Sequence, residues 1–154
     1  MILVDMNQVS IATIMAESKG KPDYDENLIR HMVLNNLRIM RNKFKNQYGE
    51  MVLCYDDFSS WRRKIFEHYK ANRKQTREAS AVDWKKLFDF LTLLREELKE
   101  YFPYKVINVK DAEADDIIAI LARNQTTPTL IISSDYDFIQ LQTNPNIKQH
   151  WAVS

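Results

Sequence analysis

"MVLCYDDF", residues 51–58, runs five apolar or aromatic positions together and ends them on two aspartates. A run that short and that continuous is no amphipathic helix; it fits a strand buried on both faces of a parallel sheet. Working outward, "ILV" at 2–4, "KVINV" at 105–109 and "TLIIS" at 129–133 read the same way, and "IKQHWAV" at 147–153 reads as a last strand. Helical patterns lie between them. One starts from Asp25 as N-cap, carries Leu28, Met32, Leu37, Met40 and Phe44 near a 3.6-residue period, and stops at Gly49. A second runs from Asp83 through Leu87, Leu91, Leu94 and Leu98 to Pro103, a shorter one occupies about 113–123, and a turn or two follows Asp137 before Asn144-Pro145. Strand and helix alternating in this way predict an α/β domain: a mainly parallel central sheet with helices on both faces and right-handed crossovers.

The chain has 154 residues, 45% of them apolar and only two of them glycine, enough for one core and one domain. Its apolar runs are far shorter than a bilayer span, and "MILVDMNQ" has neither the basic start nor the long apolar run of a signal peptide. A soluble, cytoplasmic protein without a membrane partner is expected. The single cysteine, Cys54, sits inside the first-quoted strand, so a disulfide framework is excluded and core packing is its expected role. A net charge of +1 conceals segregation, with acids crowded at 111–116 and bases at 62–77.

In an open parallel sheet, ligands bind beyond the carboxyl ends of the strands. Four strands of this chain deliver acids to that edge: Asp5 from the first, Asp56 and Asp57 from the second, Glu113, Asp115 and Asp116 after the third, Asp135 and Asp137 after the fourth. An aspartate after a strand is also a common N-cap, and acids in a first turn meet the helix dipole favourably. Capping accounts for one acid per junction. It does not account for doublets at three junctions, because neighbouring carboxylates raise one another's pKa and oppose folding unless a cation lies between them. A hard divalent cation, Mg²⁺ or Mn²⁺, suits an all-oxygen donor set, and this many acids can hold two ions. On helical geometry Glu113 and Asp116 share a face while Asp115 points away, so one of the three is a cap or an outer partner. The histidines, His31, His68 and His150, are scattered, which argues against zinc or histidine-based nucleophilic chemistry, and no GxxxxGK[ST] or GxGxxG loop is present.

"WRRKIFEHYKANRKQTR", residues 61–77, carries seven Lys or Arg against one acid, with Trp61, Phe66 and Tyr69 interleaved. That composition suits nucleic acid, and equally a solvated helix whose aromatics face the core. As a helix it puts Arg63, Lys70, Lys74 and Arg77 on one face and Arg62, Tyr69 and Arg73 on the next. Because it follows directly from Asp56 and Asp57, phosphates drawn to it are led towards the acids.

Taken together, "LVDMNQ", "VLCYDDFSSWRRKIFEHYKANR", "EADDIIAIL" and "IISSDYDFIQL" resemble, in order and spacing, the 5′-nuclease (flap endonuclease) superfamily. The resemblance spans nearly the whole chain. It implies a PIN-like fold with a basic helical arch, two divalent ions, and hydrolysis of RNA primers, RNA–DNA hybrids and 5′ DNA flaps from the 5′ end. By position, Asp5, Asp56, Glu113, Asp115, Asp135 and Asp137 match the family's metal-binding carboxylates, with Asp116 an adjacent acid. Lys70 matches the arch-helix base that contacts the scissile phosphate, and Arg62, Tyr69 and Arg73 match its neighbours; Arg63, Lys74 and Arg77 join them as nucleic-acid contacts. The family's helix-hairpin-helix region, which grips duplex DNA, has no counterpart in residues 1–154, as expected of a fragment, a natural truncation or a split-gene product, the last with a separately encoded C-terminal polypeptide as partner. Two rival readings are a PIN-type single-strand endoribonuclease and a non-catalytic nucleic-acid-binding subunit of a split nuclease.

Overall fold

Five short strands, β1 (Ile2–Asp5), β2 (Met51–Tyr55), β3 (Lys105–Asn108), β4 (Thr129–Ile132) and β5 (Ile147–His150), pair side by side into one parallel sheet of order β3-β2-β1-β4-β5. The computed structural model describes residues 1–18, 24–73 and 84–151, with backbone only at 18, 68–73 and 84. In chain order the elements are β1 (Ile2–Asp5), α1 (Met6–Ser18), α2 (Glu26–Tyr48), β2 (Met51–Tyr55), α3 (Phe58–Arg73), α4 (Trp84–Tyr101), β3 (Lys105–Asn108), α5 (Ala114–Arg123), β4 (Thr129–Ile132), a 3-10 helix (Tyr136–Thr143) and β5 (Ile147–His150). The expected α/β class and parallel sheet are both observed. The last strand is shorter than expected, ending at His150.

β1, β2 and β4 are buried along their whole length because both faces of the sheet are covered. Side chains alternate across the sheet, so Ile2, Val4, Met51, Leu53, Tyr55, Leu130 and Ile132 pack with the core residues of α1 to α4. Leu3, Val52, Cys54 and Ile131 face the other way, against Ala114, Ile117, Ile118 and Ala122 of α5 and Phe138 of the 3-10 helix. Extending that alternation to the ends of the strands puts Asp5, Asp56 and Ser133 on the α5 side. Cys54 is buried beneath them, and burial followed by the charge of Asp5 pushes its thiol up to about 12, so it packs and does not react.

The helices show where periodicity was sufficient and where it was not. α2 is capped as expected: the Asp25 carboxylate accepts from the N–H groups of Asn27 and Leu28, and Gly49 ends the helix at φ +89°, its N–H on Lys45 O. Its buried stripe, however, is Ile29, Val33 and Leu37, with Met40 and Phe44 at its border, whereas Leu28 is 44% exposed in the first turn. In α4 the expected Leu87, Leu91, Leu94 and Leu98 are all buried. α1 follows β1 without a loop and was not expected. Its inward face includes the buried polar residues Ser10 and Thr13, which blur the apolar period, and Thr13 Oγ1 donates to Val9 O within the helix. Trp61 and Ile65 anchor α3, the indole meeting the rings of Tyr55 and Phe88 at 5.2 and 5.5 Å. Among the described residues no helix is long and apolar enough to cross a membrane.

The chain lays down β1, β2 and β3 outward in one direction, then returns to place β4 on the other side of β1. The order therefore reverses between β1 and β4, and the crevice at their carboxyl ends is where ligands bind in such sheets.

Candidate active site

Asp5 closes β1 at this crevice and is 5% exposed. Ser133, just past β4, donates from Oγ to Asp5 Oδ2 at 3.0 Å, and Gln8 N–H donates to Oδ1 at 3.3 Å. Burial pushes the Asp5 carboxyl up to about 6; the two hydrogen bonds oppose that rise, and the charges of Asp115 and Asp56 add to it.

Asp56, one residue past β2, is fully buried. Its Oδ1 accepts the first N–H of α5, from Ala114, at 2.7 Å, which fixes the start of that helix against the sheet edge. Its Oδ2 lies 3.0 Å from Lys64 Nζ, an ion-pair distance whose alignment falls short of a hydrogen bond, so this buried oxygen has no aligned donor. The same ammonium donates to Glu113 Oε2 at 3.3 Å, and Ser60 Oγ, one turn earlier on α3, donates to Glu113 Oε1 at 3.3 Å. Burial pulls the Lys64 pKa down, but the close ion pair with Asp56, the charge of Asp115 and the hydrogen bond to Glu113 together leave it above its ordinary value.

Asp115 is half-buried, and its pKa is raised by burial, then by the charges of Glu113 and Asp56, against the lowering by its own backbone N–H and Lys64. It thus sits in the charge field of Asp5, Asp56, Glu113 and Lys64. Helix spacing alone had pointed it away from Glu113. The geometry differs because Glu113 is the N-cap, with extended backbone, and not part of the helix. Asp116 folds back instead, accepting the Glu113 N–H at 3.3 Å as the return arm of a capping box. Asp135 caps the 3-10 helix, its Oδ1 accepting the Asp137 N–H at 2.9 Å, and its own N–H donates to Ser133 Oγ at 3.1 Å. Gln149 Nε2 holds the carbonyls of Ser133 and Asp135 at 2.9 and 2.8 Å, tying the β4 exit to β5. Asp137 is exposed.

Of the basic residues, Arg62 and Arg63 are exposed on the first half of α3. The Arg62 guanidinium lies 6.0 Å over the Phe88 ring. Arg63 lines a cleft of about 270 Å³ with Asp57, Ser59, Ser60, Asp111 and Glu113, which opens beside the carboxylates. Tyr69, Lys70 and Arg73 are carried on the last turns of α3, where backbone alone is described, and Lys74 and Arg77 lie outside the described residues.

Among the described residues, no three carboxylate, imidazole or thiol side chains are gathered tightly enough to hold a metal as they stand. The donor set is nonetheless all carboxylate and hydroxyl oxygen, it is partly buried, and one buried carboxylate oxygen lacks an aligned donor. Such a set fits a hard divalent cation and no soft one.

Two residues escaped the sequence reading. In the sequence Ser133 is only the end of a strand, although two-residue alternation from Ile131 puts it on the Asp5 side. Lys64 is one of seven bases in its segment, and it stands four residues after Ser60, on one helix face with it.

The family described as 5′-3′ exonuclease, N-terminal resolvase-like domain, matches residues 2–151. The chain is similar to ribonuclease H of Enterobacteria phage T4, 38% identical over 97% of this chain and 51% of that protein. It is similar to flap endonuclease Xni of Shewanella halifaxensis, 37% identical over 70% of this chain and 40% of that protein. A 5′-3′ exonuclease of Buchnera aphidicola is 30% identical over 72% of this chain and 38% of its own length. The chain spans about half the length, or less, of these curated relatives.

Proposed function

The chain belongs to the 5′-3′ exonuclease family, as its N-terminal resolvase-like domain, and from that premise we propose that it is a divalent-metal-dependent nuclease acting from the 5′ end. Its substrates in this reading are RNA primers in RNA–DNA hybrids and 5′ DNA flaps, which the names ribonuclease H and flap endonuclease of the phage and Shewanella relatives support. The observation that supports this reading is that Asp5 ends β1 and Asp56 follows β2 at one sheet edge, with Glu113 joined to Asp56 through Lys64 at 3.3 and 3.0 Å and Asp115 in the first turn of α5 beside them.

In this reading these four acids hold Mg²⁺ or Mn²⁺, two ions when the site is full, with Asp116, Asp135 and Asp137 as outer members of the set. The ions, when bound, supply activation of water and neutralisation of charge on the phosphate. The protein's own groups do the rest. Ser133 and Gln8 aim the Asp5 carboxylate, Ala114 N–H aims Asp56, and Ser60 aims Glu113. Lys70 and Arg62 steady the charge that develops on the scissile phosphate, while Arg63, Tyr69, Arg73, Lys74 and Arg77 bind the strand. In this reading a separately encoded polypeptide would add grip on the duplex.

The test is cleavage of 5′-labelled flap DNA and of an RNA–DNA hybrid, with Mg²⁺, Mn²⁺ or chelator, by the wild type and Asp115→Asn. Short 5′ products that need metal and disappear in the variant are expected. Cleavage confined to single-stranded RNA would move the assignment to an endoribonuclease, and metal-independent binding without cleavage would make the chain a binding subunit.

A further inference from the structure

Lys64 is a cation lodged between two of the carboxylates. Its Nζ lies 3.0 Å from Asp56 Oδ2 and 3.3 Å from Glu113 Oε2, and its side chain is 27% exposed against 0% for Asp56. An ammonium cannot ligate a metal, and two cations drawn to the same oxygens within about 4 Å repel strongly in a partly desolvated site. We propose that Lys64 is a tethered competitor of the divalent ion, holding Asp56 and Glu113 together and leaving when the ion takes their oxygens, so that Lys64 sets the metal affinity of the site. The inference rests on the metal reading above and adds a residue to it.

The local construction permits the exchange. Four methylenes give the ammonium reach, and its partial exposure gives it a way out. The carboxylates stay in place when it goes, because the Ala114 N–H still holds Asp56 and the Ser60 hydroxyl still holds Glu113. Both hydrogen bonds are on the oxygens that Lys64 does not touch. The displaced ammonium moves to the outer face of α3, beside exposed Arg63, where it adds to the charge that meets phosphate.

Lys64→Met keeps most of the stem and removes the charge, and Lys64→Arg keeps the charge. Calorimetric titration of the chelator-treated full chain with Mn²⁺ should give an affinity about tenfold tighter for Lys64→Met, within the range usual for coupled sites. Lys64→Arg should stay close to wild type. In chelator Lys64→Met should melt below wild type, and saturating Mn²⁺ should close that gap. Unchanged or weaker Mn²⁺ binding by folded Lys64→Met overturns the proposal. Where that variant does not fold, amine labelling of the wild type decides: Lys64 should label faster with Mn²⁺ than in chelator, exposed Lys45 and Lys85 serving as internal references. Equal or slower labelling overturns it. A wild type that binds no Mn²⁺ sinks the metal reading and this proposal together, whereas normal wild-type binding with an indifferent Lys64→Met sinks this proposal alone.

Discussion

The hydroxyl of Ser133 donates to the carboxylate of Asp5 across 3.0 Å, joining residues 128 apart in sequence at the one place where the strand order reverses. The bond opposes the rise of the Asp5 carboxyl to about 6 without cancelling it. The folded protein therefore holds this proton between the ordinary value of 3.8 and about 6, where the unfolded chain has already lost it. With more protons on the native state, stability falls as pH rises through that window. In chelator, Asp5→Asn should abolish this fall and be more stable than wild type at pH 7, by an amount on the order of 3 kcal/mol at most. Thermal melts at pH 4, 5, 6 and 7 measure it; parallel profiles for the two proteins would refute the assignment.

Asp56→Asn and Asp115→Asn should both lose cleavage yet part company in stability. Asp56 accepts the first N–H of α5 and pairs with Lys64, so neutralising it in chelator costs about 1–3 kcal/mol. Asp115 is a carboxylate whose ionised form folding disfavours, so neutralising it is neutral or stabilising. Equal denaturant midpoints for the two variants would contradict the geometry described for them.

Gly49 ends α2 at φ +89°, and a Cβ there would meet nothing within 4 Å. The cost of Gly49→Ala is thus purely conformational, about 1–3 kcal/mol, because ψ −138° at that φ is backbone that side-chain-bearing residues rarely adopt. Urea unfolding should show that loss with nuclease activity intact. A variant as stable as wild type would mean the turn relaxes to negative φ.

Lys70→Ala should slow cleavage far more than it weakens substrate binding, because one developing charge needs that ammonium whereas many bases share the strand. Single-turnover rates and flap affinities separate the two effects; equal losses would reduce Lys70 to one phosphate contact among several.

Binding of flap DNA by this chain alone should show a shallow salt dependence, each phosphate neutralised contributing about −0.9 to the log–log slope. Supplying a polypeptide with helix-hairpin-helix character should steepen it. A steep, duplex-dependent slope without any partner would place the duplex grip within residues 1–154.

The strand ends were legible in the sequence because burial on both faces writes continuous apolar runs, and an acid after such a run is conspicuous. Asp5, Asp56, Glu113 and Asp115 could therefore be listed, but their mutual placement could not. Asp115 joins the cluster only because the α5 helix starts at Ala114 and leaves Glu113 outside as its cap. Ser133 and Lys64 were invisible for a different reason: a serine and a lysine are ordinary surface residues until something across the fold gives them a partner. α1 was missed where polar Ser10 and Thr13 turn inward and break the apolar rhythm that announces a helix.

The position of β1 also governs the order in which the molecule can be assembled. Its four residues are the first strand made, yet they lie between β2 and β4, and β4 begins at Thr129. Such pairings are non-local, closing loops whose entropy must be met before the contacts return anything, which slows folding. Until β4 has been synthesised, one edge of β1 has no ladder and Asp5 has no hydroxyl beside it. The crevice is therefore among the last features to form, and a nascent or truncated chain lacking β4 has an exposed apolar edge open to pairing with another chain.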